Sequence, residues 1–343
     1  MKILGIETSC DDTGAAIVEA RGDGSFDILA NVIKQQDHTE TGGVVPEIAA
    51  RHHATSVLPA IDEALKEAGM KIGGIDALAV TRGPGLIACL LVGVETAKTI
   101  AMAKGMPIIG VNHMEAHIAS TFVEHPHMEF PAVALLASGG HTMLVGINEP
   151  GDYYMIGTTR DDAAGEAFDK VAKMLGLSYP GGPELEKLAK KGDPYAHDFP
   201  KPMINSDDID FSFAGLKTAI KYYIRDNSPL SDEGRADIAA SFQESIAQVL
   251  VSKTLQAADR HEAKTVVLGG GVSANKMLVD RLHSVFQEVR PETEIMVPSP
   301  GLFTDNGAMI AIAAAPRALT GDYDDWRKIT VNPKLRIAES ESK

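Results

Sequence analysis

The sequence is short of the features that would place it outside the cell or in a membrane. It holds two cysteines, Cys10 and Cys89, in 343 residues. That is no disulfide framework, and it fits a reducing compartment. Its longest apolar runs, such as 86–94, fall far short of the roughly 20 residues that span a bilayer. Its start enters Ile3-Leu4-Gly5-Ile6 with no basic leader, long apolar stretch or Arg-rich transit segment. A cytoplasmic protein with no membrane partner is expected. Positive charge is scarce too: 32 Lys and Arg stand against 47 Asp and Glu, a net charge of −15. Such a chain repels phosphate backbones, so handling a nucleic acid requires a local basic patch or basic partners. The local candidates are Lys187, Lys190, Lys191 and Lys201, then Lys217, Lys221 and Arg225, whose plainer reading is a solvated helix face.

What remains is ordinary for a globular protein, 44% hydrophobic and 23% charged. The length exceeds a single core of usual size and predicts two domains. Residues 2–8 read as a strand, 9–12 as a polar turn and 13–19 as a returning strand. The pattern recurs at 132–147, where two strands flank Ser138-Gly139-Gly140-His141, and that repetition suggests two related lobes. Further strands at 75–81, 107–111, 265–268 and 294–297 alternate with helices at 45–68, 86–103, 113–124, 163–175, 183–191, 213–226, 231–261, from 275, and at 308–317. The alternation means an α/β class. His125-Pro126-His127 and Pro131 mark the boundary, giving lobes at 1–128 and 129–336 and a loose tail at 337–343.

Several nucleotide and metal motifs are absent. There is no G-x-G-x-x-G and no G-x-x-x-x-G-K-[ST], which disfavours a dinucleotide fold and excludes a Walker loop. His-Glu-x-x-His is missing as well. In its place His113 and His117 stand four apart on a predicted helix, about 40° around the axis, so that both rings can share an ion. Two ordinary structural histidines would show the same spacing. Glu115 lies two positions after His113 and projects to another side, which speaks against a zinc peptidase. A third ligand must come from elsewhere. Asp305, in Thr304-Asp305-Asn306-Gly307 before an apolar helix, is a candidate, with helix capping as its other reading. The Gly139-Gly140 pair would let backbone N–H groups approach phosphate, as it would also suit a tight hairpin. Asp11 and Asp12 in the first hairpin make sense beside phosphate if a cation bridges them. Val266-Val267-Leu268 emptying into Gly269-Gly270-Gly271 near a helix start is a place for a nucleotide to lie on backbone.

Together these segments resemble the TsaD family (formerly Gcp), the catalytic subunit of tRNA threonylcarbamoyladenosine synthesis, in its bacterial branch. The resemblance rests on Gly5 to Thr13, Gly42 to Glu47, Asn112-His113-Met114-Glu115-Ala116-His117, Ser138 to Thr142, the run 161–170, Phe211 to Lys217, Gly269 to Asn275 and Thr304 to Gly307. Ala116 departs from the family's frequent Gly. The resemblance implies an actin-like ATPase fold of the sugar-kinase type, two similar lobes with mixed sheets flanked by helices. It implies one divalent metal, Fe2+ or Zn2+, on His113, His117 and Asp305. It implies that Leu136, Ala137, Ser138, Gly139, Gly140, Asp169, Gly182, Glu186 and Asn275 bind an adenine nucleotide (ATP, AMP or threonylcarbamoyl-adenylate), with Mg2+ as a further ion. Transfer of the threonylcarbamoyl group to N6 of the adenosine beside the anticodon would follow, with His141 or Asp169 as the base. Implied partners are tRNA, a TsaB-like paralogous subunit, a TsaE-like ATPase and a synthase making the adenylate. A small-molecule kinase on the same fold is the competing expectation.

Overall fold

The computed structural model describes residues 1–38, 43–125 and 127–337. Gly42 of one motif, Pro126 of the expected boundary and residues 338–343 of the expected tail lie outside them. The chain forms two compact units.

The first unit is built on β1 (Lys2–Glu7), β2 (Thr13–Ala20), β3 (Phe26–Lys34), β4 (Ala77–Gly83) and β5 (Ile108–Asn112), in the sheet order β3-β2-β1-β4-β5. β1 pairs antiparallel with β2 and parallel with β4, and β4 runs parallel to β5. Alternate side chains of β1 and β2 enter different cores. Leu4, Ile6, Ala15 and Ile17 pack beneath α1 (Pro46–Glu67) and α2 (Ile87–Lys104). Ile3, Ala16 and Val18 pack on the opposite face, with α3 (His113–Ala119) and the last helix of the chain. That period of two over a sheet buried on both sides is why these strands read as almost unbroken apolar runs.

The second unit carries β6 (Ala132–Ala137), β7 (Thr142–Glu149) and β8 (Asp152–Thr158), then α4 (Ala164–Met174), α5 (Gly181–Ala189), α6 (Ala214–Asn227) and α7 (Asp232–Arg260), then β9 (Thr265–Gly269), α8 (Lys276–Val289) and β10 (Glu294–Met296). Its sheet order is β10-β9-β6-β7-β8. Read from the other edge, this is the order of the first sheet, with an antiparallel hairpin beside two parallel strands.

Three expectations change. The second lobe ends before 336, because the chain from Pro298 belongs to the first unit, as do residues 150–152. The reason is α9 (Gly307–Thr320), which lies on β1 and β2 through glycines. A methyl group on Gly5 would sit 2.1 Å from the Gly307 carbonyl oxygen, and one on Gly14 2.6 Å from the Gly307 nitrogen. Ile337, expected in a loose tail, is 3% exposed. Finally, β3 and β8 are sheet-edge strands absent from the sequence-based expectation. Their burial does not alternate cleanly, so the period-two signal is weak.

Candidate functional site

The first unit gathers three side chains that could hold a metal ion. Asn112 ends β5 and caps α3, its Oδ1 accepting from the Met114 N–H at 2.8 Å. The helix therefore begins at His113, and His113 and His117 share one face, their ring centroids 4.7 Å apart. Asp305 comes from the turn before α9. Asn306, and not Asp305, is the cap there, accepting from the Met309 N–H. Capping thus does not account for the Asp305 carboxylate. Its Oδ1 lies 3.4 Å from His113 Nε2 and 3.2 Å from His117 Nε2. One ligand atom from each of the three falls within 4.8 Å of the others.

The donor set fits a divalent ion. His117 is 2% exposed, and among the described residues neither of its ring nitrogens makes a hydrogen bond, the Asp305 oxygen at 3.2 Å included. An imidazole buried without partners loses its hydration for nothing unless something else takes its lone pair. His113 is oriented from behind. Glu7, at the end of β1, accepts from the Thr81 hydroxyl at 2.6 Å and from the Ser9 N–H, and meets His113 Nδ1 at 3.0 Å. This is the carboxylate–histidine arrangement that fixes a ligand's tautomer and aims its other nitrogen. Burial alone would depress the His113 pKa, but Asp305 and Glu7 outweigh it and raise it to about 9. Burial likewise pushes Glu7 up, yet His113 wins and its pKa is lowered.

The neighbouring hairpin tip is acidic. Asp12 is pushed up to about 7, first by burial and then by the carboxylates of Asp11, Asp305 and Glu7. His53, on α1, holds the tip from below. Its Nε2–H donates to the Cys10 carbonyl at 3.0 Å, so Nδ1 is left to accept from the Thr13 hydroxyl at 2.7 Å. Glu115 is not among the ligands. Burial raises its pKa to about 7, with Arg317 and Arg82 pulling the other way. Glu7 and His53 escaped the sequence analysis. The only available signal was a carboxylate ending an otherwise apolar strand.

The second unit holds the expected nucleotide residues. Leu136 and Ala137 close β6 and are each 2% exposed, so they can offer a ligand only backbone. Ser138 and His141 close the hairpin: the Ser138 N–H donates to the His141 carbonyl at 2.8 Å, and the His141 N–H to Ser138 Oγ at 3.2 Å. α4 begins against this tip, its Gly165 N–H donating to the Ser138 carbonyl at 3.1 Å. The glycine turn after β9 reaches the same place, since a methyl on Gly270 would lie 2.6 Å from the Ala137 oxygen. Gly139, Gly140 and Gly182 differ from Gly270. Their φ angles are unexceptional, and added methyls would meet nothing within 4 Å. Internal packing does not demand glycine there.

Asp169 accepts from the Gly181 N–H at 2.8 Å, so Gly181 and Gly182 form the first turn of α5 and not a preceding loop. Glu186 pairs with Lys190 at 3.3 Å. Asn275 caps α8 through Leu278 and donates to Gln243 Oε1 at 3.3 Å. A 3-10 turn, Gly271–Ala274, separates it from the glycines. Phe168 and Asn275 line one small cavity of about 10 Å3. The contacts thus join Ser138 to Gly165 and Gly270, and Asp169 to Gly181.

The family model described as "TsaD: tRNA N6-adenosine threonylcarbamoyltransferase" matches residues 27–312. A protein of that name from Moorella thermoacetica is 49% identical over 324 residues, 94% of this chain and 93% of its own. One from Desulfitobacterium hafniense is 46% identical over 341 residues, 98% of each. Among solved structures, component A of the (R)-2-hydroxyglutaryl-CoA dehydratase of Acidaminococcus fermentans aligns over 93% of this chain and 99% of its own, with TM-score 0.55 and 18% identity. Full-length HypF, in its phosphate- and nucleotide-bound form, aligns over 94% of this chain and 47% of its own, with TM-score 0.61 and 15% identity. These likenesses, with the repeated strand order, make the fold that of the actin-like ATPases.

Proposed function

This chain belongs to the family of tRNA N6-adenosine threonylcarbamoyltransferases, and from that premise we propose that it moves a threonylcarbamoyl group from threonylcarbamoyl-adenylate to N6 of the adenosine 3′ of the anticodon in tRNAs reading ANN codons. N6 attacks the carbonyl carbon of the mixed anhydride, the bond from that carbon to the phosphate oxygen breaks, AMP leaves, and the nitrogen gives up a proton. The observation that carries the reading is the His113, His117 and Asp305 cluster with its unpartnered His117 nitrogens. An iron or zinc ion there would supply Lewis acidity toward an oxygen that gains charge in the transition state.

The chain's own residues do the rest. Glu7 holds His113 in its ligating tautomer. The backbone at Ser138, Gly139 and Gly140 offers N–H groups to the adenylate phosphate. Leu136, Ala137, Asp169, Gly182, Glu186 and Asn275 complete the adenylate's surroundings. Asp11 and Asp12 suit a Mg2+ accompanying the phosphate. His141 or Asp169 takes the N6 proton. Asp169 already spends one oxygen on Gly181, which favours His141.

A TsaB-like subunit would cover the apolar side chains exposed on α1 and α2. Ile48, Leu58, Ile87 and Leu91 are 43–59% exposed. A TsaE-like ATPase and a synthase supplying the adenylate would complete a cytoplasmic system. Among the described residues no helix is long and apolar enough to cross a membrane.

The test is nucleoside mass spectrometry of unmodified tRNA incubated with the protein, those partners and the synthase, for wild type, His113→Ala and His141→Ala. Threonylcarbamoyladenosine should form with wild type, fall by at least about a hundredfold without His113, and fall about 10²–10⁴-fold without His141. Unchanged output from His141→Ala ends its role as base. No product from wild type, together with phosphorylation of a small metabolite, gives the site to a kinase.

A further inference from the structure

We propose that the strap formed by residues 332–336 positions His113, by clamping the end of β4 to the end of β5, from which the helix carrying His113 begins. The inference rests on the metal-centre reading. The strap crosses the carboxyl ends of β4 and β5. The Asn332 N–H donates to the Arg82 carbonyl at 2.7 Å, and the Gly85 N–H to the Pro333 carbonyl at 3.3 Å. The crossing is close: at Gly83, where φ is +153°, a methyl group would lie 1.9 Å from the Asn332 oxygen. Only glycine fits both that backbone angle and that approach.

The far end of the strap reaches the metal site. Asn112 Nδ2 donates to the Arg336 carbonyl at 3.1 Å while its Oδ1 caps α3. One amide thus ties the strap to the first turn of the helix on which His113 is the first residue. A second route runs through the turn after β4. The Leu86 N–H donates to the Ser9 carbonyl at 2.8 Å, and Ser9 Oγ lies 3.3 Å from His113 Nδ1. Ile337, next along, is buried. The strap is therefore joined to His113 from both sides. Its departure would free the Asn112 amide and the Arg82 carbonyl together. Partners bonded to a ligand change metal affinity by about 10–100-fold when lost, and the strap acts one step further out, through Asn112 and the turn that holds Ser9.

Two variants separate positioning from mere stabilisation. Asn112→Ser keeps a capping oxygen but cannot reach Arg336, and Gly83→Ala displaces the strap without changing any candidate ligand. Zn2+ affinity is read by competition with a chromophoric chelator, with the absorption spectrum of the Co2+ form as a signature of ligand geometry. Thermal unfolding of the metal-free proteins reports folding. Both variants should bind Zn2+ at least about tenfold more weakly and show an altered Co2+ spectrum. In wild type, Zn2+ should slow hydrogen exchange at Asn332, because coupling between two sites is reciprocal. Wild-type Zn2+ affinity in both variants, whatever their melting temperatures, overturns the inference. So does Asn332 exchange indifferent to Zn2+, a reading that needs no variant to fold. A wild type that binds no Zn2+ fails at the metal-centre reading itself and takes the strap's role with it.

Discussion

His53 is a side chain whose protonation state is dictated by its two neighbours. A carbonyl on Nε2 requires a proton there, and the Thr13 hydroxyl then donates to Nδ1, so the buried ring is neutral. Burial, outweighing the Cys10 carbonyl, holds its pKa below the ordinary 6.5. The unfolded chain therefore takes up this proton first. The stability that His53 contributes is complete above pH 6.5 and is lost as the pH falls from there toward the folded value. Glutamine keeps one donor and one acceptor without a titration. Urea unfolding from pH 7.5 to 5 should show wild type losing stability faster than His53→Gln, by at most about 1.4 kcal/mol per pH unit. Parallel profiles would show that the ring is not the neutral clamp described. His113, distant in the chain but beside the same hairpin, has the opposite tendency, because the carboxylates of Asp305 and Glu7 face it.

At the scale of elements, position is set by glycine contacts as much as by helix and strand signals. α9 starts with its backbone against β1 and β2 at Gly5 and Gly14, and that contact delivers Asp305 to the histidines. Gly14→Ala should cost about 1–3 kcal/mol in chemical denaturation by overpacking. It should also weaken Zn2+ binding in a chelator titration, because the start of α9 must move. Loss of stability with full metal affinity would show that Asp305 is placed independently of that contact. The same feature explains what could be read beforehand. Helices α1 to α9 announce themselves through apolar spacing, and the pair His113 and His117 through a spacing of four. Asp305 was legible only with its capping alternative, because nothing in Asp-Asn before a helix says which residue caps. Glu7, His53 and the strap were not legible, since each acts on a partner distant in sequence: Glu7 on His113, His53 on Cys10 and Thr13, Arg336 on Asn112. The edge strands β3 and β8 lacked clean alternation, and the end of the second unit was misplaced, although its start at 129 was legible, because contacts between α9 and β1 leave no local trace.

For the whole molecule, the balance of charge and apolar exposure points to assembly. A net charge of −15 leaves little general attraction for tRNA, so a partner contributing basic surface would serve it. Leu58 and Ile87 are 59% and 57% exposed on α1 and α2. Exposed substitutions away from buried features change stability by within about 0.5 kcal/mol. The double variant Leu58→Lys, Ile87→Lys should therefore melt like wild type while binding a TsaB-like subunit at least tenfold more weakly in sedimentation analysis. Unimpaired association would move the partner to another face.

The first unit is begun early in the chain and completed late, and this bears on how the protein is made. During synthesis His113 and His117 leave the ribosome well before Asp305, α9 and the strap exist. The second unit, continuous apart from residues 150–152, is fully translated before the first can close its core. A nascent or prematurely ended chain thus has His113 and His117 but lacks Asp305 and the strap. On the proposed metal-centre reading, loading of the ion therefore follows the synthesis of α9.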